Sequence, residues 1–500
     1  MHFRTSLIFI AVSLPAAWPQ SPPAPAQLQV PSATSRQVQL SWTASPGAKS
    51  YAIQRKSTDG YTTVLTATDV AATDKSIDPY TTYTYCVIAV NDTGQSACSN
   101  EMIVGPPPIG FNVVVPTNAD TAAGFATLNR MEFDSNGDPA LSFVNQDPNG
   151  DGVDDDDTLF FMSWSRARYA WNPPVQIAVV GPQSSSGVSV PVSLARDGDT
   201  DTWGLAYQVV VDDDTSRIHF ATSSNNGVTW NVQVVPTSSS DAVDEPSLGM
   251  WHGSFYLAYH ATVGLQYVTA KLSDPLAKWI SQPIPLPGGY SAQSQIVSLQ
   301  LDSAHNPGIA YLVSNDVGVA AAFWRPATGG SAIMIGHNDG SPGVDAEIAL
   351  SFFGTQPRIV TDAMWNYDLW SQDYDHSVWA ICGVGDGSNW LPAVNVPSDG
   401  NISISAPLTM ASGSQGQTAV AMSTIHGGVG DGLCGFPKLS RSDDFLTFTT
   451  CAPAMVDNPN FRPPDYPVLK FWGNDKLWLA FHNTDANGQL GTGLVLWREP

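Results

Sequence analysis

Between residues 26 and 105, apolar and polar side chains alternate in short runs. Val38-x-Leu40-x-Trp42, Tyr51-Ala52-Ile53 and Tyr83-x-Tyr85-x-Val87-x-Ala89 each present one apolar face. A period of two marks strands that are half covered by a core. Turn formers separate the runs, as in Ser45-Pro46-Gly47 and Asn91-Asp92-Thr93-Gly94. Short strands at this density predict a two-sheet sandwich.

Residues 108–500 carry a different pattern, a degenerate repeat. Each copy is a strand, a tight turn and a second strand ending in an aliphatic-small-aromatic triplet. The triplets are Leu141-Ser142-Phe143, Leu205-Ala206-Tyr207, Leu257-Ala258-Tyr259, Ile309-Ala310-Tyr311, Ile359-Val360-Thr361, Val420-Ala421-Met422 and Leu479-Ala480-Phe481, spaced 64, 52, 52, 50, 61 and 59 residues apart. Such periods, with several strands in each, predict a β-propeller of seven blades, or of six if one copy is decorative. The seventh copy ends after three strands, and the β-branched run Phe111-Asn112-Val113-Val114-Val115 is expected to supply its outer strand and close the ring.

Composition agrees with an all-β chain. Charged residues are 13% of the 500, while Gly 42 and Pro 38 favour turns over long solvated helices. Pro-rich breaks at 19–25 and 105–108 suggest three segments: a leader over 1–20, a sandwich over 26–105 and a propeller over 108–500. The leader reads as a secretory signal peptide, with Arg4, the apolar run Ser6–Val12 and small residues behind it. No later stretch is long and apolar enough to span a membrane. Lys+Arg 21 against Asp+Glu 45 gives −24, and all of that excess lies beyond residue 107. A chain this acidic is a poor partner for nucleic acid. Five cysteines suit an oxidising compartment, with Cys86–Cys98 and Cys434–Cys451 as the expected disulfides and Cys382 as a buried leftover.

The first unit resembles the fibronectin type III domain. Trp42 matches the family's buried tryptophan, Tyr83–Asn91 its sixth strand, and Tyr83 its corner tyrosine. The resemblance implies a spacer or adhesive module. The repeat region resembles the Asp-box, or BNR-repeat, propellers that include sialidases. Ser223-x-Asn225-x-Gly227-x-Thr229-Trp230 is its fullest box, and Asp274 with Trp279, Gly387 with Trp390, and Asp443 with Thr447-Phe448 are weaker echoes. In that family the boxes are structural turns. Sialidase chemistry itself is not expected. No Arg-Ile-Pro signature opens the propeller, arginines number only thirteen, and an acidic rim repels an anionic sugar.

In a propeller, the loops after second and fourth strands share one face. Most of the acidic clusters fall there, which predicts an acidic rim, although aspartate also simply favours turns. Asp147-Pro-Asn149-Gly-Asp151-Gly152-Val-Asp154-Asp155 has the oxygen-ligand spacing of a Ca²⁺ loop, with Asp147, Asn149, Asp151 and Asp155 as side-chain ligands. An unliganded polar loop is the alternative. His260, Asp362 and His482 fall one residue past their triplets, where they meet a ligand or serve as satisfied structural residues. Trp365, Tyr367, Trp370, Tyr374 and Trp379 cluster in one segment and either stack on neutral sugar rings or pack on themselves. Asp244 and Glu245, with Asp362, are the catalytic candidates, because a glycosidase needs two suitably spaced carboxyl groups; the alternative for an adjacent acidic pair is a turn. The sequence therefore supports an exported, calcium-stabilised propeller that recognises an extracellular glycan or protein on its rim. The alternative is a glycoside hydrolase acting on a neutral polysaccharide.

Overall fold

The computed structural model describes residues 20–58, 60–108, 114–115, 125–146, 157–181, 192–212, 215–237, 243–315, 319–337, 348–361, 366–367, 374–375, 378–397, 408–422, 438–450, 468–472, 475–484 and 490–498. The chain divides into two compact units, residues 1–106 with 166–169, and residues 107–165 with 170–500.

The first unit is a sandwich. One sheet joins Ala26–Ala33, Val38–Thr43 and Ala71–Asp74. The other joins Gly60–Ala67, Ser50–Ser57, Tyr83–Asn91 and Gly94–Gln95, with Met102–Val104 also on Tyr83–Asn91. The alternation seen in the sequence places Leu28, Val38, Leu40, Trp42, Ile53, Tyr85 and Val87 in one core. Trp42 packs edge-on against Tyr51, with centroids 5.3 Å apart. The Tyr83 hydroxyl accepts the Asp78 amide at 2.8 Å, tying the chain back upstream as a corner tyrosine does. Cys86 and Cys98 form a disulfide.

In the second unit each repeat copy forms its own antiparallel sheet, and the described residues contain seven. Every triplet lies in the second strand of its sheet. The innermost strands are Phe125–Phe133, Val192–Asp197, Val243–Trp251, Ser291–Leu301, Ile348–Phe353, Thr409–Ser412 and Val468–Trp472. Each contacts the next, and the seventh contacts the first. The hydrophobic cores repeat this order. Each cluster draws on two neighbouring sheets, for example Ile218 and Phe220 with Met250 and Phe255. The first and seventh sheets share Phe133, Phe143, Trp478 and Leu496. A ring of sheets that buries apolar faces pairwise is a β-propeller. Its last sheet is completed from the start of the unit, where Val114–Val115 pair with Leu494 and Val495.

Innermost strands do not share a ladder, so their outward amides need other partners. Serines supply them. Ser193 Oγ accepts the Leu248 amide at 3.0 Å, Ser247 Oγ the Leu299 amide at 2.8 Å, and Ser298 Oγ the Leu350 amide at 3.1 Å. Ser351 and Ser412 meet hydroxyl to hydroxyl at 2.7 Å.

The turn at Ser223–Trp230 joins the third and fourth strands of the second sheet. Asn225 Oδ1 accepts the Thr229 amide, Ser223 Oγ accepts the Gly227 amide, and Trp230 Nε1 donates to the Gly227 carbonyl. Trp230 is thereby fixed edge-on to Phe161 of the neighbouring sheet, 5.0 Å away. In the sixth sheet the anchor is Asp444, not the expected Asp443. Asp444 Oδ1 accepts from Ser442 Oγ and from the Leu446 and Thr447 amides. The loop is one residue shorter than the full box, which moves the anchoring carboxylate by one position.

Candidate acid–base site on the third innermost strand

Val243–Trp251 begins regularly, with Val243 opposite Ala261 and Asp244 opposite His260. Pairing resumes with Ser247 opposite Ala258. Glu245 and Pro246 therefore share the place facing Tyr259, which is a β-bulge. Pro246 has no amide hydrogen to offer a ladder, so a bulge suits it. Glu245 has φ +49°, a left-handed conformation that costs a non-glycine residue about 1–3 kcal/mol and tends to occur where function requires it. The innermost strands of the first and fourth sheets also lose register at this end, between Thr127 and Arg130 and between Ala292 and Val297.

The bulge gathers charged groups. His260 Nδ1 lies 3.1 Å from Asp244 Oδ1. Their side chains keep 24% and 14% of their surface exposed, enough for solvent to reach them but little enough for burial to matter. Burial raises the Asp244 carboxyl above the usual carboxylate range, and the hydrogen bond and charge of His260 oppose that rise. Glu245 is pushed up to about 7, first by burial and then by the neighbouring Asp244 charge, while Arg130 and His260 pull it down. Glu245 retains some accessible surface although it is hemmed in by protein. Arg130 belongs to the first sheet and Glu245 to the third, with the second sheet between them. The Arg130 charge nevertheless acts on the Glu245 carboxyl.

At the opposite end of the same strand the chemistry is structural. Burial works to raise Asp197, but amides of Gly253, Asp199 and His252 and the Thr200 hydroxyl hold it below the usual range. His252 Nδ1 meets Asp199 Oδ2 at 2.7 Å, and Trp251 stacks on His305 with centroids 3.4 Å apart. These contacts staple hairpin tips of adjacent sheets. A groove of about 640 Å³ lies between Pro236-Thr237 and Tyr259, Ala261, Val263 and Trp279. Among the described residues its lining contains no carboxylate, imidazole or amine.

The sequence-predicted residues divide as follows. Asp244, Glu245 and His260 come together. Asp244 and Glu245 stand in a strand, contrary to the expectation that an adjacent acidic pair makes a turn, because the bulge accommodates both. His260 contacts Asp244 of its own sheet. Asp147, Asn149, Asp151, Asp155, Asp362, Trp365, Trp370, Cys434 and Cys451 lie outside the described residues. For Tyr367, Tyr374 and His482 the strand position is described and the side chain is not. Asn366–Tyr367 pairs with Tyr374–Asp375, and His482 is opposite Leu494. Among the described residues no group of three or more His, Cys, Asp or Glu is placed to hold a metal, and no helix is long and apolar enough to cross a membrane. Cys382 is buried and unpaired with another cysteine. Sequence reasoning missed Arg130. Its one visible signal was a basic residue on a first strand in a chain with few of them.

The family model for the fibronectin type III domain matches residues 22–104. An Fn3-like protein from Clostridium thermocellum is 32% identical, covering 18% of this chain and 99% of its own, with a TM-score of 0.16. The α-L-arabinanase of Penicillium chrysogenum is 13% identical and covers 77% of this chain and 96% of its own, with a TM-score of 0.41. The NanB sialidase of Streptococcus pneumoniae is 9% identical, covering 87% and 74%, with a TM-score of 0.43. No curated protein matches the chain. Over residues 22–104 the chain belongs to the fibronectin type III domain family.

Proposed function

We propose that the propeller is a glycoside hydrolase whose acid–base pair is Glu245 and Asp244, and that the protein is exported, with the fibronectin type III domain as a spacer. The observation that carries this reading is Glu245, a carboxyl raised to about 7 on a strained bulge of an innermost strand, directly beside a carboxyl held by His260. A carboxyl that keeps its proton near neutrality is suited to general acid catalysis. In the proposed step Glu245 gives its proton to the leaving glycosidic oxygen as the C–O bond breaks. Water adds to the anomeric carbon and Asp244 takes the water's proton. Solvent then returns the two carboxyls to their starting states.

The described geometry thus favours hydrolysis over recognition alone, reversing the order suggested by the sequence, where the rim aromatics carried more weight. Export is supported by the leader-like residues 1–20 and by the Cys86–Cys98 disulfide. Calcium binding by Asp147, Asn149, Asp151 and Asp155 stays a proposal from ligand spacing. The test is release of reducing sugar from a panel of neutral polysaccharides by the full chain and by Glu245→Gln. Turnover that Glu245→Gln lowers by at least about a hundredfold supports the reading. Binding to a glycan array with no release by the wild-type chain replaces it with recognition.

A further inference from the structure

We infer that His260 is a positioning residue, which fixes the Asp244 carboxylate through Nδ1 and so leaves Glu245 as the member of the pair that delivers the proton. The inference rests on the reading of Asp244 and Glu245 as base and acid. Three observations carry it. First, Asp244 and His260 are directly opposed in an antiparallel ladder, so strand register holds the contact and no loop is needed. Second, the 3.1 Å contact is to Nδ1. An ionised carboxylate only accepts hydrogen bonds, so the proton in this contact belongs to the imidazole, and Nδ1–H is the tautomer it selects. Third, the ladder breaks immediately after Asp244, and Glu245 sits in the bulge with a left-handed backbone. The register that anchors Asp244 therefore does not constrain Glu245. Two carboxyl groups adjacent in sequence are given separate roles, one tethered and one freed by the bulge.

Two measurements test this, and they fail separately. The first is independent of activity. In the full-length protein labelled with ¹⁵N-histidine, at mildly alkaline pH, His260 is expected in the Nδ1–H tautomer, and Asp244→Asn is expected to shift it toward Nε2–H. An Nε2–H tautomer in the wild type overturns the inference whatever the protein does to glycans. The second is kinetic. Asparagine places an amide nitrogen near the position of Nδ1 and glutamine near that of Nε2. His260→Asn should stay within a few-fold of wild-type kcat, whereas His260→Gln should lose kcat by about ten- to a hundredfold with KM little changed. Equal losses in the two variants, or a change confined to KM, overturn the positioning role. A wild-type chain that cleaves no glycoside sinks the hydrolytic reading instead, and the tautomer then decides for His260.

Discussion

Ser247 Oγ accepts the backbone amide of Leu299 at 2.8 Å, carrying a hydrogen bond from the third innermost strand to the fourth. The same device recurs from Ser193 to Leu248 and from Ser298 to Leu350. The sheets of a ring cannot share one ladder around an axis, so side chains satisfy the amides that the ladder cannot reach.

Removal of that hydroxyl is therefore expected to strand a partly buried amide. Ser247→Ala should lower the stability of the propeller by about 1–3 kcal/mol, read as a lower urea midpoint with an unchanged slope. A variant with the wild-type midpoint means that water or a shifted backbone replaces the hydroxyl.

Glu245→Gln should change how stability depends on pH. The folded carboxyl is raised from 4.5 to about 7. Below 4.5 the side chain is protonated in both folded and unfolded chains and contributes fully. As pH climbs through the window to about 7, the unfolded chain ionises while the folded chain holds its proton, so the wild type loses stability. Above about 7 the loss is complete, at a scale of roughly 3 kcal/mol. Glutamine does not titrate. Melting curves across this range should therefore show the variant gaining on the wild type as pH rises, with the gap levelling off near neutrality. A gap that is flat with pH means that Glu245 has an ordinary carboxyl.

Gly227→Ala should be costly for two reasons that act together. Gly227 has φ +79°, and a β-carbon there would collide with the Phe161 ring. Phe161 cannot retreat, because Trp203 and Trp230 stand edge-on to it at 5.3 and 5.0 Å. A loss of at least about 2 kcal/mol is expected, measured by thermal unfolding beside Gly253→Ala, a glycine with φ +71° and open space around its β-position. Equal losses in the two variants would leave only the backbone effect.

Chelation tests the calcium loop. EDTA should lower the melting temperature of the wild-type chain, and the double variant Asp147→Ala, Asp151→Ala should melt at that lower temperature with or without chelator. A wild-type melting point that ignores EDTA removes calcium from the account.

The amino-acid sequence by itself determined the two-unit plan, the all-β class, the repeat of sheets and the closing strand at Val114–Val115. These are local matters of period, turn chemistry and spacing, and they survive being read one residue at a time. The Ser223–Trp230 turn was legible for the same reason, since its hydrogen bonds connect residues at most four apart. The site was only half legible. Asp244, Glu245 and His260 could be singled out as residue types at a promising height in the repeat, but nothing in the spacing joined Asp244 to His260 or brought Arg130 within electrostatic reach of Glu245. Those relationships depend on a bulge that turns one strand out of register and on a ring that faces the first sheet toward the third. Both are properties of backbone geometry in three dimensions, and only the tertiary structure decides them.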